Sequence, residues 1–418
     1  EHSIPGNLVI GDGVGTNVDL VFYSLGQVNN QSRVTIASTG KLLLGADTIG
    51  SLSGEGEVEI FNTGELRTGA NNDSTTFDGV ILGGGGLAKR GTGAFTLNGI
   101  NTYTGPTFVE AGTLVVNGNQ AGSDVTVRAN ATLAGNGSVG DLSIASGGSL
   151  TPGLSPGRLS ALNTVISNDA VVRIELSGLV PAVDYDQLRL SGTLNLTGSK
   201  LALTALLSNA PPVDGQVFTI IDNNGTDAIS GTFDSLANGV VTNVGGIQMR
   251  LNYNGGTGND VTLTVTNLPA RAGAFALGTG NGDGLVSPDE CNTIFLVVSN
   301  SSGGSLSSVT GTLSSPTPGV IITEATAAYG NIPANQRRTN ATPFQFSTTA
   351  PFACGRSVEL LLTVNAAGQL PFNVRYVLQS GTLGAAQTFA GTAIGLPGSG
   401  TVSSPAVVSG VSGSIAKV

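Results

Sequence analysis

Between positions 6 and 153, apolar residues recur at alternate positions in short runs, and a glycine or asparagine ends each run. Val34-Thr-Ile36 leads to Gly40-Lys-Leu42 and Gly45, and Val58-Glu-Ile60 leads to Gly64-Glu-Leu66 and Gly69. Thr107-Phe-Val109 leads to Gly112-Thr-Leu114 and Gly118. Val125-Thr-Val127 leads to Asn130, Leu133 and Gly135, and Leu142-Ser-Ile144 to Gly147, Leu150 and Gly153. A period of two is that of a strand with one buried face, and no run has helix-length apolar periodicity. Where copies adjoin, the final glycines fall about 17 to 24 residues apart, close to the spacing of β-solenoid coils. A coil cannot bury its apolar face alone, so it must stack on its neighbours. Val34, Ile36, Leu42, Val58, Ile60 and Leu66 are therefore expected to point inward in ladders, with the intervening Ser, Thr and Asn outside.

Residues 154–267 keep the alternation in longer runs. Val172-Arg-Ile174-Glu-Leu176, Tyr185-Asp-Gln-Leu188-Arg-Leu190, Val217-Phe-Thr-Ile-Ile221, Met249-Arg-Leu251-Asn-Tyr253 and Val261-Thr-Leu263-Thr-Val265 read as strands. They suit wider final coils or a β-rich cap, which a solenoid needs because its last coil exposes a sheet edge. Residues 268–278 read as a linker. Residues 279–392 then carry Ile294-Phe-Leu-Val-Val298, Val320-Ile-Ile322, Phe344-Gln-Phe346, Val358-Glu-Leu-Leu-Leu-Thr-Val364 and Phe372-Asn-Val-Arg-Tyr-Val377, separated by turn-forming clusters. That spacing suits an immunoglobulin-like β-sandwich. Residues 393–418, rich in Gly, Ser, Pro and Val, read as a flexible tail or as a strand that continues into a partner or a next domain.

Composition sharpens the fold class to all-β. The chain has 63 glycines, no tryptophan and 11% charged residues, without a collagen period. A net charge of −10 and few basic clusters argue against nucleic-acid binding. The basic doublets Lys89-Arg90 and Arg337-Arg338 read as exposed turn residues. No apolar run reaches the length of a membrane-spanning helix, and the chain starts at Glu1-His2-Ser3 without a signal peptide, as a trimmed N-terminus would.

Chemistry has few residues to work with. His2 is the single histidine, which removes Ser-His-Asp and Cys-His arrangements and most zinc sites. Two carboxylate pairs at i, i+2, Asp184 with Asp186 and Glu55 with Glu57, would each share one strand face and suit acid/base chemistry on a sugar. The scarcity of aromatics weighs against that use, and no catalytic residue is assigned. A calcium site is expected in the stretch from Thr279 to Glu290. Against an EF-type loop, Thr279, Asn281, Asp283 and Ser287 supply oxygens at positions 1, 3, 5 and 9; Leu285 supplies a carbonyl, and Glu290 closes the shell. Asp289 competes for a ligand role, and Asn-Gly-Asp-Gly alone also makes an ordinary turn. Cys291 and Cys354, an even count in a chain of extracellular character, read as a disulfide.

Residues 77–118, FDGVILGGGGLAKRGTGAFTLNGINTYTGPTFVEAGTLVVNG, resemble the autotransporter-associated β-strand repeat almost continuously. The resemblance implies a right-handed parallel β-helix on a secreted or surface-exposed bacterial protein. Ser155-Pro-Gly157 with Leu159, and the phrases YDQL and GGTGNDVTLTV, are similar to the C-terminal part of autotransporter passengers. The stretch GNGDGLVSPDECNTIFLVVSN with FACGRSVELLLTV resembles a secreted bacterial sandwich module, which carries cysteines at both places found here. Residues 408–418 are similar to the first strand of a proprotein-convertase-type P domain.

The expected function is that of a non-enzymatic extracellular structural protein, a surface stalk or filament subunit whose partner is another copy of itself. The alternative is a cell-surface adhesin for cells or glycans, with residues 69–76 as its binding loop; a β-helix polysaccharide lyase or hydrolase ranks last.

Overall fold

A computed structural model describes residues 4–380, apart from residues 16–17, 23–25, 208–209, 281, 283, 350–351 and 353–354. The chain forms two compact units, Glu1–Pro269 with Gly368–Phe372, and Ala270–Ala367 with Asn373–Val418.

The first unit is a parallel β-solenoid with a β-rich cap. One face is a ten-stranded sheet that begins with Leu8–Ile10, Arg33–Ile36 and Ser51–Gly54 and ends with Val171–Leu176 and Lys200–Ala205. A second face is an eight-stranded sheet from Asp47–Thr48 to Leu194–Asn195, with Gly86–Lys89 and Thr107–Val109 in its middle. The third face comes in two parts. Val18–Phe22, Gly40–Leu44, Glu57–Ile60 and Val80–Gly83 form the first part, and Asn119–Gln120, Ser138–Val139, Arg158–Ala161, Gln187–Leu190 and Val217–Asn223 the second.

Between these parts one coil crosses without a strand, along residues 98–106. It is still stacked. Thr102 N–H donates to the Ile81 carbonyl (2.8 Å) and Thr104 N–H to that of Gly83 (3.0 Å), while the Asn101 side chain accepts from Ile81 N–H (2.8 Å).

Inside, the alternation read from the sequence becomes ladders. Phe95, Leu114, Leu133, Leu150 and Val172 stand in consecutive register on the ten-stranded sheet, and all are buried. Val34, Ile36, Leu42, Val58, Ile60 and Leu66 are buried as expected. One corner is built from Asx-Gly pairs, one per coil: Asp78-Gly79, Asn98-Gly99, Asn117-Gly118 and Asn136-Gly137. Asn98 Nδ2 donates to Asp78 Oδ1 (2.6 Å) and Asn117 Nδ2 to Asn98 Oδ1 (2.8 Å). The glycines beside them permit close approach: a Cβ on Gly118 would lie 1.8 Å from the Gly99 carbonyl oxygen.

The third face ends by reversing direction. Val217–Asn223 pairs antiparallel with Asp260–Asn267, which pairs antiparallel with Ile247–Gly255 and so with Val241–Val244. Here Tyr185 packs edge-on against Phe218, with ring centroids 5.5 Å apart.

The second unit consists of two antiparallel sheets. In one, Cys291–Asn300 pairs with Ala270–Gly278, Phe344–Thr348 and Arg337–Thr339, and Val320–Glu324 adds to Phe344–Thr348. In the other, Leu306–Ser314 pairs with Thr326–Ile332 and Val358–Asn365, with Phe372–Leu378 at its end. Ile294, Leu296, Val298, Phe344, Leu360 and Leu362 are buried in its core. Two expectations are corrected. Residues 270–278 are a strand rather than part of a linker; ARAGAFALG lacks the bulky alternation that announces one, and a bulge between Ala272 and Phe275 interrupts its period. Arg337 and Arg338 lie in a short exposed strand rather than a turn, held by pairing to Ser299 and Val298. The tail, residues 393–418, lies outside the described residues.

The ladder makes a stability prediction. Leu114→Ala is expected to cost about 2–5 kcal/mol, while Thr113→Ala beside it, on the outer surface, stays within about 0.5 kcal/mol. Urea unfolding of both variants checks this; equal losses would contradict the inward assignment.

Candidate functional site

The repeat-like stretch carries a buried cation that the sequence reading placed on the surface. Gly86–Lys89 pairs with Glu65–Thr68 on one side and Thr107–Val109 on the other, and Lys89 stands in register with Thr68 and Val109. Its side chain is fully buried. The ammonium donates to the carbonyls of Arg90, Gly91 (2.9 Å) and Ala111 (3.1 Å), so it holds two consecutive corners together. Burial pushes its pKa down to about 8, which leaves it charged at neutral pH. Only Arg90 of the doublet has the expected surface position, paired with Glu110 at 2.8 Å. The signal for Lys89 was available: it shares the parity of buried Leu87 two residues before it.

Next to this corner lies a buried chain of hydroxyls that the sequence reading missed altogether. Tyr103 Oη and Thr107 Oγ1 are 2.6 Å apart, Thr107 Oγ1 and Ser123 Oγ 2.8 Å, and Ser123 Oγ donates to the Gly105 carbonyl (2.7 Å). Burial pushes the Tyr103 phenol up to about 12. The chain ends on a backbone carbonyl and meets no base, so it braces the fold rather than activating a nucleophile.

Neither carboxylate pair converges on a common site. Asp186 is buried; it accepts Gly157 N–H (3.0 Å) through one oxygen and Glu175 N–H (2.9 Å) through the other. Asp184 instead accepts the amides of Leu179 (3.2 Å) and Val180 (3.1 Å). Both lie ahead of Gln187–Leu190, not in it, so the strand rule that would align them does not apply. Glu55 occupies a bend, whereas Glu57 opens the next strand and pairs with Lys41 at 2.6 Å. Residues 69–76, expected as a binding loop, are a corner whose polar side chains serve adjacent coils. Asn72 accepts Thr92 N–H (2.9 Å), Ser74 accepts Ala94 N–H (3.0 Å), and Asp73 pairs with Arg33 at 2.6 Å.

In the second unit, Asn281 and Asp283 of the expected calcium loop lie outside the described residues. The loop's ends do meet: a Cβ on Gly280 would lie 3.5 Å from Glu290 Cγ. Thr279 Oγ1 accepts Gly284 N–H (3.3 Å), and the buried Glu290 carboxylate accepts Ser287 N–H (2.9 Å). Thr348 Oγ1 accepts Glu290 N–H (3.0 Å) and donates to the Ser287 carbonyl, while Leu285 is exposed. Asp289 adopts a left-handed φ of 54°. Among the described residues no group of three or more His, Cys, Asp or Glu side chains converges. Cys291 is exposed, and its expected partner Cys354 lies outside the described residues.

The outer surface of the ten-stranded sheet carries two ranks of small uncharged residues in register. Ala94, Thr113, Thr132 and Ser149 form one, and Thr96, Val115, Ala134 and Thr151 the other.

Comparison with known proteins agrees with this architecture. Residues 87–116, which hold Lys89, Tyr103 and Thr107, match the Passenger-associated-transport-repeat family. The chain is 31% identical over 200 residues to an extracellular serine protease of Serratia marcescens, covering 47% of this chain and 18% of that protein. It is 43% identical over 83 residues to the adhesin BmaC autotransporter of Brucella suis, covering 19% of this chain and 2% of the relative. Against the autotransporter lipoprotein NalP of Neisseria meningitidis the figures are 43% over 82 residues, with 20% and 7% covered. The chain thus spans less than a fifth of the length of each relative. It carries a passenger-type β-solenoid with the autotransporter-associated repeat, of the secreted or cell-surface kind.

Burial raises the pKa of Asp186 from 3.8 to about 6, so the folded chain holds this proton where the unfolded chain has released it. Its contribution to stability is therefore present below pH 3.8 and is lost as pH rises through about 6. Asp186→Asn is expected to shrink the fall in unfolding midpoint between pH 4 and pH 7; an undiminished fall would contradict this.

Proposed function

We propose that the chain is a non-enzymatic structural element of an extracellular protein, a stalk or filament segment whose length comes from coil stacking. One observation carries this reading. The polar groups best placed for chemistry, Lys89, Tyr103, Asp184 and Asp186, are each bound to backbone or hydroxyl groups of their own scaffold. Relatives named as a protease and as an adhesin each match over a small share of their length, as suits a scaffold that serves different activities. Negative-stain microscopy of the native protein tests it: repeating rods or filaments are expected. Monomers that hydrolyse protein or polysaccharide would overturn it.

The adhesin reading is favoured by a different observation, the uncharged ranks on the ten-stranded sheet, none of whose residues enters an ion pair, whereas the other faces carry pairs such as Lys41–Glu57 and Arg90–Glu110. Saturable binding of the native protein to cells or glycans, lost when Thr113 and Thr132 are replaced by lysine, would support it over the stalk.

We also propose a weak calcium site at the loop that Thr279 and Glu290 close, and a bridge from Cys291 to Cys354. Calcium is expected to raise the melting temperature of the parent and not that of Glu290→Ala; a calcium-independent parent would end the idea. Intact mass after alkylation without reductant is expected to show no added label.

A further inference from the structure

The solenoid's three faces finish differently. The second face runs on past Leu194–Asn195 through a bridge from Asn195 to Ser230, and the third passes into the antiparallel cap. The ten-stranded sheet stops at Lys200–Ala205, and no described strand pairs with its outer side. Lys200 and Leu206 donate inward, to the carbonyls of Ala170 and Leu176. By the alternation of a parallel ladder, the N–H and C=O groups of Leu201, Leu203 and Ala205 therefore face the open edge.

Side chains of those same residues continue the inward ladders of Val172, Ile174 and Leu176. Unlike that buried trio, Leu201 and Leu203 are only half-covered. They line a groove of about 280 Å³ with Leu236, Val244, Leu251 and Leu263. No ionisable side chain lines it, and Lys200, which opens the edge strand, pairs with Asp169 at 2.7 Å. Exposed Leu206 and Val241 extend the apolar character nearby in the chain.

We propose that this edge is a strand-acceptor site for an extended, uncharged segment of a partner protein with apolar residues at every second position. The open backbone groups would continue the sheet's hydrogen-bond ladder, and alternate side chains would finish its leucine ladder in the groove. The groove's lining, which holds no ionisable side chain, favours an uncharged segment over an acidic or basic one. The site is the same whether the solenoid serves as stalk or as adhesin.

Fluorescence anisotropy with the full chain and a labelled peptide, Thr-Val-Thr-Leu-Thr-Val-Thr, tests the site. Saturable binding is expected. Ala205→Pro removes one outward N–H and leaves the Leu206 bond to the sheet in place, as edge strands tolerate proline on that side. It is expected to weaken binding by at least about tenfold with an unchanged melting temperature. A peptide with proline at its centre, against the unaltered protein, is expected to lose affinity likewise. No saturation by about 1 mM would overturn the proposal, as would equal binding of the proline peptide. So would a dimer in light scattering that Ala205→Pro dissolves, which would give the edge to a second copy.

Discussion

Each coil must turn corners without leaving backbone groups unpaired, and must do so where the next coil lies directly against it. An unpaired buried amide or carbonyl costs about 1–3 kcal/mol, and a solenoid repeats its corners in every turn. The Asx-Gly column answers both demands. Its side chains link Asp78, Asn98 and Asn117, and Asn136 in turn accepts Leu154 N–H. The glycine after each admits the carbonyl of the preceding corner. Where a corner's carbonyls turn inward, Lys89 reaches them from the core. The strands contribute the apolar ladders, but the corners decide whether those ladders can stack in register.

The same constraint shapes function. Polar residues that in another fold would be candidates for catalysis are occupied here by the scaffold. Asp47 accepts the amides of Gly26, Val28 and Thr48, and Asp260 accepts those of Asn223 and Thr257. Among the described residues, the uncharged ranks of the ten-stranded sheet and its last strand, which no described strand pairs on its outer side, are not taken up in this way.

Much of the fold was legible because period-two alternation is a direct print of one buried face. Val34 to Leu66 are buried as that pattern predicts, and the longer runs after residue 153 do form the last coils and cap. The failures share a cause: they concern residues whose role depends on a neighbour one coil away. Lys89 looks like surface until the carbonyls of Gly91 and Ala111 are in place around it. The i, i+2 rule misplaced Asp184 and Asp186 because it assumes a strand where the chain is still turning. Residues 69–76 look like a binding loop in one dimension and are a bracing corner in three. Strand Ala270–Gly278, small and bulged, leaves almost no trace in the pattern.

Residues 98–106 offer the most direct test, because they contain no strand and yet are bonded into the stack on both sides. Native-state amide hydrogen exchange at single-residue resolution reads it. Thr102 and Thr104 should exchange as slowly as Leu114 and Leu133 in the flanking strands, opening only with the whole solenoid. Exchange of these two amides at the rate of an unstructured loop would contradict the account that corners, not strands alone, hold the coils together.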